Sequence, residues 1–124
     1  ILIVTERRAD YSKFRPVIKE IEKSKKLDYF LIVTGSHLLK EHGNTINEIK
    51  KYKFKITSTF EMYPKIRKDT GAEMVVSLGT AMIKLSKIIE KINPDIILSG
   101  FDILLNSIVF KIDSSFWLGS PIIL

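Results

Sequence analysis

The segment ILIVTERRADYSKFRPVIKEI, residues 1–21, sets a continuous apolar run directly before a dense cluster of charges and then an amphipathic stretch. A strand has such a continuous run when helices cover both faces of a parallel sheet. Further along, apolar residues recur at helical spacing and predict a helix from about Ser12 to Ser24. Its buried face would carry Phe14, Val17, Ile18 and Ile21. Pro16 is then expected in or near the first helical turn, since elsewhere it would bend the helix.

The alternation of strands and helices continues along the chain. Apolar runs predict further strands at 29–34, 54–57, 95–99 and 121–124, of which 54–57 alternates and so belongs near an edge. Helices are predicted at Leu38–Lys51, Asp69–Ile92 and Ile103–Ser114. The long helix ends at the Asn93-Pro94 pair. Its predicted packing face steps by three and four residues through Val75, Leu78, Met82, Leu85, Ile89 and Ile92.

These elements predict an α/β fold: a Rossmann-like parallel sheet with helices on both faces. We expect right-handed crossovers and a Rossmann-like strand order of 3-2-1-4-5. No linker divides the 124 residues, so we expect a single domain over residues 1–124. The last predicted strand ends at the final residue with no covering helix after it, and the domain is therefore expected to be incomplete.

Composition narrows the classes of function. The formal charge is +6, but the lysines are scattered among glutamates, and no segment interleaves basic and aromatic residues as a base-stacking surface does. We therefore predict no nucleic-acid partner. No apolar run reaches the length of a membrane span, which predicts no membrane partner and a cytoplasmic location. With no cysteine there is no thiolate site, and His37 and His42 lack a ligand pattern, so no metal is expected.

Three polar loops follow the strands expected at the centre of the sheet: ERRAD (6–10), GSH (35–37) and GFD (100–102). Ligands bind beyond the carboxyl ends of parallel strands, so these loops mark the candidate site. Arginine forks beside a helix N-terminus suit an anion such as phosphate. There is no P-loop and no G-x-G-x-x-G motif, so spacing alone names no reaction.

Plainer interpretations stand beside each candidate residue. For any single arginine of the first loop, and for Lys13, a solvated surface position is the simpler alternative. Asp10 or Ser12 could equally cap the first helix.

Three segments resemble, in order, those of the hydrolysing UDP-N-acetylglucosamine 2-epimerases. RADYSKFRP (8–16) is similar to the family's RADYSK signature, VTGSHLLKEHGNT (33–45) to its second segment, and INPDIILSG (92–100) to its KPDIVLVxG strand. The resemblance implies the N-terminal half of a two-domain fold of the glycosyltransferase B type, with the C-terminal UDP-binding domain absent. The implied reaction converts UDP-N-acetylglucosamine to N-acetylmannosamine and UDP by elimination and then hydration, without a cofactor.

The resemblance also assigns roles by position. Arg8 and Lys13 would face the diphosphate, with Ser12 and His37 as further substrate-binding residues. Asp10 and Asp102 are the implied catalytic residues: Asp10 would fill the acidic position of the first loop and help hold the site together, and Asp102 would stand near the family's catalytic aspartate. A UDP-sugar is the implied partner, and a homo-oligomer is possible because the last predicted strand leaves an open edge.

Two positions depart from the family pattern. Glu6 stands where the commoner TGTR form has glycine, which sets an anion beside an anionic ligand unless Arg7 pairs with it. GFD replaces GDR, so Asp102 is offset by one position. Two alternatives remain: the N-terminal half of another B-type glycosyltransferase, or a non-catalytic Rossmann-like binding module. Within the family reading, the sugar could instead be a di-N-acetylated bacillosamine type. The isolated chain is expected to be inactive.

Overall fold

The computed structural model describes residues 1–100, in which four parallel strands form one sheet in the order β3-β2-β1-β4. The strands are β1 (Leu2–Thr5), β2 (Phe30–Thr34), β3 (Ile56–Phe60) and β4 (Ile97–Ser99). This order confirms the first four positions of the predicted 3-2-1-4-5 arrangement, with β3 at an edge. The predicted strand at 121–124 and the predicted helix at Ile103–Ser114 lie outside the described residues.

Three α-helices connect the strands. They are α1 (Arg8–Lys23), α2 (Ile46–Lys51) and α3 (Gly71–Ile92). Between β2 and α2 the chain forms two short 3-10 turns, Gly35–Leu38 and Lys40–His42.

One face of the sheet packs against α1 and α2. The inward residues of β1 and β2 are fully buried there, because side chains alternate across a strand and every second residue points to the same face. The predicted packing face of α1 is confirmed: three of its four apolar residues are buried and Val17 packs against them. The cluster is Ile3, Tyr11, Phe14, Ile18, Ile21, Tyr29, Leu31, Val33, Ile49 and Phe54.

The opposite face packs against α3, which places helices on both faces of the sheet as predicted. Leu2, Val4 and Ile32 meet the helix at Ala81 and Leu85. The helix begins at a threonine cap, where the Thr70 hydroxyl accepts a hydrogen bond from the Glu73 N–H at 3.2 Å. It ends at Ile92, before Asn93, as the Asn-Pro pair predicted.

Two details of these helices differ from the prediction. Helix α1 begins at Arg8 and not at Ser12, so Pro16 lies in the helix interior and not in or near the first turn. Neither Asp10 nor Ser12 is the N-cap, which is Arg7 with no side-chain capping hydrogen bond. On α3, Val75 was predicted to pack but is exposed, whereas the other five predicted residues lie in or against the apolar cluster: Leu78, Met82, Leu85, Ile89 and Ile92.

The single helix predicted at Leu38–Lys51 is wrong. Gly43 and Asn44 both adopt left-handed backbone conformations, with φ of 78° and 51°, and this interrupts the helix. The helical residues after the interruption form only the six-residue α2.

Two strands also differ from the prediction. The third runs over Ile56–Phe60 instead of 54–57, and its pairing with β2 contains a bulge between Leu31 and Ile32. The fourth was expected to be buried on both faces, but within the described part of the chain its residues are half-buried.

Candidate functional site

The loops that follow β1 and β2 are joined through the backbone of Glu6. Its carbonyl oxygen accepts hydrogen bonds from the His37 N–H at 3.3 Å and from the Ser36 hydroxyl at 2.9 Å. Gly35 has a φ of +63°, and a Cβ at that position would lie 2.1 Å from the Glu6 Cγ. Glycine is therefore required both for the backbone conformation and for the close approach of the glutamate.

The loop that follows β4 meets the start of α1 through a second close approach of the same kind. A Cβ on Gly100 would lie 2.4 Å from the Asp10 Cγ. The Asp10 side chain is almost fully buried at this contact, and one of its carboxylate oxygens lies 3.5 Å from the Arg7 Nε. The loops after β1 and β2 and the residue Gly100, which follows β4, thus meet at the carboxyl edge of the sheet; the rest of the predicted loop 100–102 lies outside the described residues.

The Glu6 side chain is buried within the protein at this edge of the sheet and is not exposed to solvent. It is only 3% exposed, and its Oε1 accepts a hydrogen bond from the Tyr63 hydroxyl at 2.9 Å. Tyr63 belongs to the loop after β3, so this hydrogen bond ties the loop after β1 to the loop after β3. The hydrogen bond from Tyr63 offsets part of the cost of burying the Glu6 carboxylate.

The cations of the signature segment lie on the solvent side of α1. The Arg8 side chain is 72% exposed, and its Nε lies 3.2 Å from the Glu48 Oε2. Lys13 and Ser12 are exposed, and the Ser12 hydroxyl donates to the Ala9 carbonyl at 2.7 Å. Arg8 and Asp10 both occupy the first turn of α1, where the helix N-terminus favours negative charge. An anion at this turn would meet an exposed guanidinium.

His37 is fully buried and bridges two threonines. Its Nε2 lies 2.9 Å from the Thr5 Oγ1, and its Nδ1 lies 2.7 Å from the Thr45 Oγ1. Burial lowers the pKa of His37 to about 4, although the nearby Asp10 carboxylate acts in the opposite direction. The ring is therefore neutral near pH 7, and both of its nitrogens are already hydrogen-bonded within the protein. This geometry favours a role in positioning α2 over direct contact with a ligand.

The lowered pKa of His37 predicts a loss of stability as the pH falls from about 6.5 to about 4. In this window the unfolded chain binds a proton at His37 while the folded chain does not, so protonation favours unfolding. The free energy of unfolding should fall by up to about 1.4 kcal/mol per pH unit. Urea unfolding at pH 7.0, 6.0 and 5.0 measures this slope.

The control for the pH experiment is the other histidine. His42 is exposed on the second 3-10 turn, so His42→Gln should keep the slope, whereas His37→Gln should reduce it. An unchanged slope in a folded His37→Gln variant would contradict the prediction.

Tyr11, the aromatic residue of the RADYSK segment, packs beside His37. Their ring centroids are 6.3 Å apart in an edge-to-face arrangement. The Tyr11 hydroxyl is buried and has no hydrogen-bond partner among the described residues. Burial raises the pKa of Tyr11 to about 12, so the phenol stays neutral. The Tyr11 ring therefore acts as an apolar residue that packs beside His37 at the site.

An open cavity of about 540 Å³ lies beside the loops that follow β2 and β3. Gly35 and Tyr63 line it, together with Arg67, whose guanidinium carbon lies 4.8 Å from the centroid of the Tyr63 ring. Arg67 also binds Glu41 at 2.8 Å and Asp69 at 2.7 Å. Sequence patterns did not mark Tyr63 or Arg67, since neither residue lies in a recognised motif.

Several site predictions stay untested by these contacts. Asp102 lies outside the described residues. Among residues 1–100 no cluster of three or more potential metal ligands is present. Within the same residues no helix is long and apolar enough to cross a membrane.

The family comparison decides the identity of the segment. The family model for UDP-N-acetylglucosamine 2-epimerase matches residues 19–102, which is more than half of the chain. The chain belongs to this epimerase family. The match begins downstream of the RADYSK segment, so it rests on residues other than those of the first loop.

Individual members of the epimerase family show the same relationship. The chain is 33% identical over 98 residues to a UDP-N,N'-diacetylbacillosamine 2-epimerase (hydrolyzing) of Legionella pneumophila, covering 79% of this chain and 26% of that protein. It is 32% identical over 98 residues to a UDP-N-acetylglucosamine 2-epimerase of Neisseria meningitidis, covering 79% of this chain and 25% of that protein. The chain thus spans about a quarter of the length of these epimerases.

The fold is shared with solved epimerase structures. The UDP-GlcNAc 2-epimerase from Neisseria meningitidis, bound to UDP-GlcNAc, superposes with a TM-score of 0.69 at 16% identity, covering 93% of this chain and 29% of that one. This structural similarity confirms the expected α/β, Rossmann-like class and shows that the chain shares its fold with a solved UDP-GlcNAc 2-epimerase.

Proposed function

We propose that this chain is part of the N-terminal domain of a cytoplasmic, hydrolysing UDP-N-acetylglucosamine 2-epimerase of amino-sugar biosynthesis. The family match carries the proposal, since it fixes the class of protein independently of the first loop. The meeting of three exit loops at one sheet edge supports it, because open parallel sheets bind ligands there. The C-terminal domain that would bind UDP, and any self-association, stay predictions.

In the proposed reaction a base removes the proton from C2 of the sugar. The C1–O bond breaks, UDP leaves with the bonding electron pair, and a C1–C2 double bond remains. Water then adds across this bond and gives N-acetylmannosamine. Negative charge grows on the departing diphosphate, so fixed cations beside it lower the barrier.

Arg8 and Lys13 are the proposed cations of this reaction. Exposure of both side chains on α1 supports the assignment, because a buried cation could not meet a diphosphate. Asp10 is proposed to hold the first loop against Gly100, since its carboxyl group fills the space above that glycine. Asp102 is proposed as a catalytic carboxylate. Ser12 and His37 are the remaining residues of the proposed site. His37 is proposed to act by positioning α2.

A second sugar substrate has specific support. Two of the related proteins are named as diacetylbacillosamine epimerases, and they match this chain as well as the acetylglucosamine enzyme does. A UDP-diacetylated bacillosamine is therefore the alternative substrate.

The test uses a protein of full family length that carries these residues, called the full-length protein below. We expect it to release UDP from one of the two UDP-sugars, as followed by a coupled UDP assay. Arg8→Lys should lower kcat/KM by about tenfold to a hundredfold, because lysine cannot form the bidentate contact of the guanidinium fork.

The matched control is Arg15→Lys, an equivalent change on the same helix where the side chain lies over the Tyr52 ring instead. It should leave kcat/KM near the parent value. Absence of UDP release from both sugars would contradict the epimerase proposal and favour a binding module. Full activity in a folded Arg8→Lys protein would remove Arg8 from the site.

A further inference from the structure

Glu48 contacts the proposed phosphate-binding arginine from a different helix. Its Oε2 lies 3.2 Å from the Arg8 Nε, and the Glu48 side chain is 42% exposed. The contact uses the Nε side of the guanidinium. The donors of the two terminal nitrogens are not used in this ion pair, and they are the ones that can extend to a ligand.

The position of Glu48 is set by contacts on either side of it. Ile49, the next residue on α2, is fully buried against the sheet and fixes the rotation of the helix. The Thr45 hydroxyl, at the start of the same helix, is bound by His37, which is itself bound to Thr5 at the end of β1. The start of α2, three residues before Glu48, is thus connected to the end of the central strand through the two hydrogen bonds of His37.

We propose that Glu48 is a positioning residue that orients the Arg8 guanidinium toward the diphosphate. The inference rests on the proposed role of Arg8 and adds the residue that fixes its geometry. A long arginine side chain that is largely exposed samples many rotamers, and ordering it opposes ligand binding. A carboxylate anchored on α2 restricts those rotamers before the ligand arrives.

The ion pair has little value as a stabilising contact. Exposed pairs of this kind add almost nothing to folding, so loss of Glu48 should leave the fold intact. A positioning role has a different consequence, because loss of Glu48 would then lower kcat/KM for the UDP-sugar. The two roles can therefore be separated by experiment.

The experiment compares Glu48→Ala, Arg8→Ala and the double variant in the full-length protein, with UDP release from the preferred UDP-sugar as the readout. We expect Glu48→Ala to lower kcat/KM by about threefold to tenfold, the range of a lost orienting contact. In the Arg8→Ala background the same change should have no further effect, because there is no guanidinium to orient.

Two further variants sharpen the result. Glu48→Gln should show most of the loss, since the contact is an ion pair and the amide lacks the negative charge of the carboxylate. Glu20→Ala is the matched control, because Glu20 forms a similar exposed pair with Lys23 at 2.7 Å elsewhere on α1. It should keep the parent kcat/KM. Thermal unfolding should be unchanged in all of these variants.

The possible outcomes distinguish this inference from the proposed function. Normal kcat/KM in Glu48→Ala together with strong loss in Arg8→Ala would overturn the role of Glu48 and leave that of Arg8. Equal losses from Glu48→Ala in both backgrounds would overturn it too, as would a gain in activity, which would make Glu48 a competitor of the ligand. Normal activity in Arg8→Ala would overturn both assignments.

Discussion

Ile3→Asp is expected to leave the chain unfolded. Ile3 lies at the centre of β1, the middle strand with neighbours on both sides, and its side chain is fully buried between the sheet and the α1 layer. An aspartate there would lose the apolar contacts and would either bury a charge without a partner or take up a proton. The combined cost is on the order of 5 kcal/mol or more, comparable to the whole stability of a small domain.

Two variants calibrate this result. Ile83→Asp makes the same change on the outer side of α3, where Ile83 is 62% exposed, and should leave the circular dichroism spectrum unchanged. Ile97→Asp, on the half-buried β4, should destabilise the chain less than Ile3→Asp does. A cooperative unfolding transition for Ile3→Asp similar to that of the parent chain would contradict the assignment of β1 as the central strand.

The isolated chain of 124 residues is expected to release no measurable UDP from either UDP-sugar. It spans about a quarter of the length of its epimerase relatives, and the proposed reaction needs groups of this chain and of the expected UDP-binding domain held together in fixed geometry. Loss of the acid–base groups that are expected in the rest of a full-length family protein should alone lower turnover by about 10²–10⁴-fold.

The measurement incubates the purified chain with each UDP-sugar and follows UDP release beside the full-length protein at equal concentration. A circular dichroism spectrum tests whether the isolated chain is folded, so that a lack of catalysis can be separated from a lack of structure. Turnover by the isolated chain close to that of the full-length protein would contradict both the need for the UDP-binding domain and the expected inactivity.

The sequence predicted the sheet well because its evidence is local. Continuous apolar runs fixed β1 and β2 to within one residue, since a strand covered on both faces needs apolar side chains at every position. The strand β3 was predicted at the edge where it lies, but its bounds were wrong because Ser58 and Thr59 look polar and their strand conformation comes from pairing with β2.

The site was predicted less completely because its contacts are distant in sequence. The first loop was recognised from its own residues, but Glu48 meets Arg8 across 40 residues and Tyr63 meets Glu6 across 57. No periodicity links such positions. The break before α2 was missed for a related reason, since Asn44 adopts a left-handed conformation that its identity permits but does not require.

The two close approaches at the sheet edge impose an order on evolutionary change. Gly35 accommodates Glu6, and Gly100 accommodates Asp10, so in each pair the acid fills the volume that a larger residue would need. A mutation that enlarges either glycine is therefore deleterious while its acid remains. At position 100 shortening the acid relieves only part of the clash, since a Cβ there would also lie 2.8 Å from the Asp10 Cβ, whereas the left-handed backbone of Gly35 adds a second barrier at that position. Substitutions at 10 and 100 should thus be epistatic, with the acid changing first.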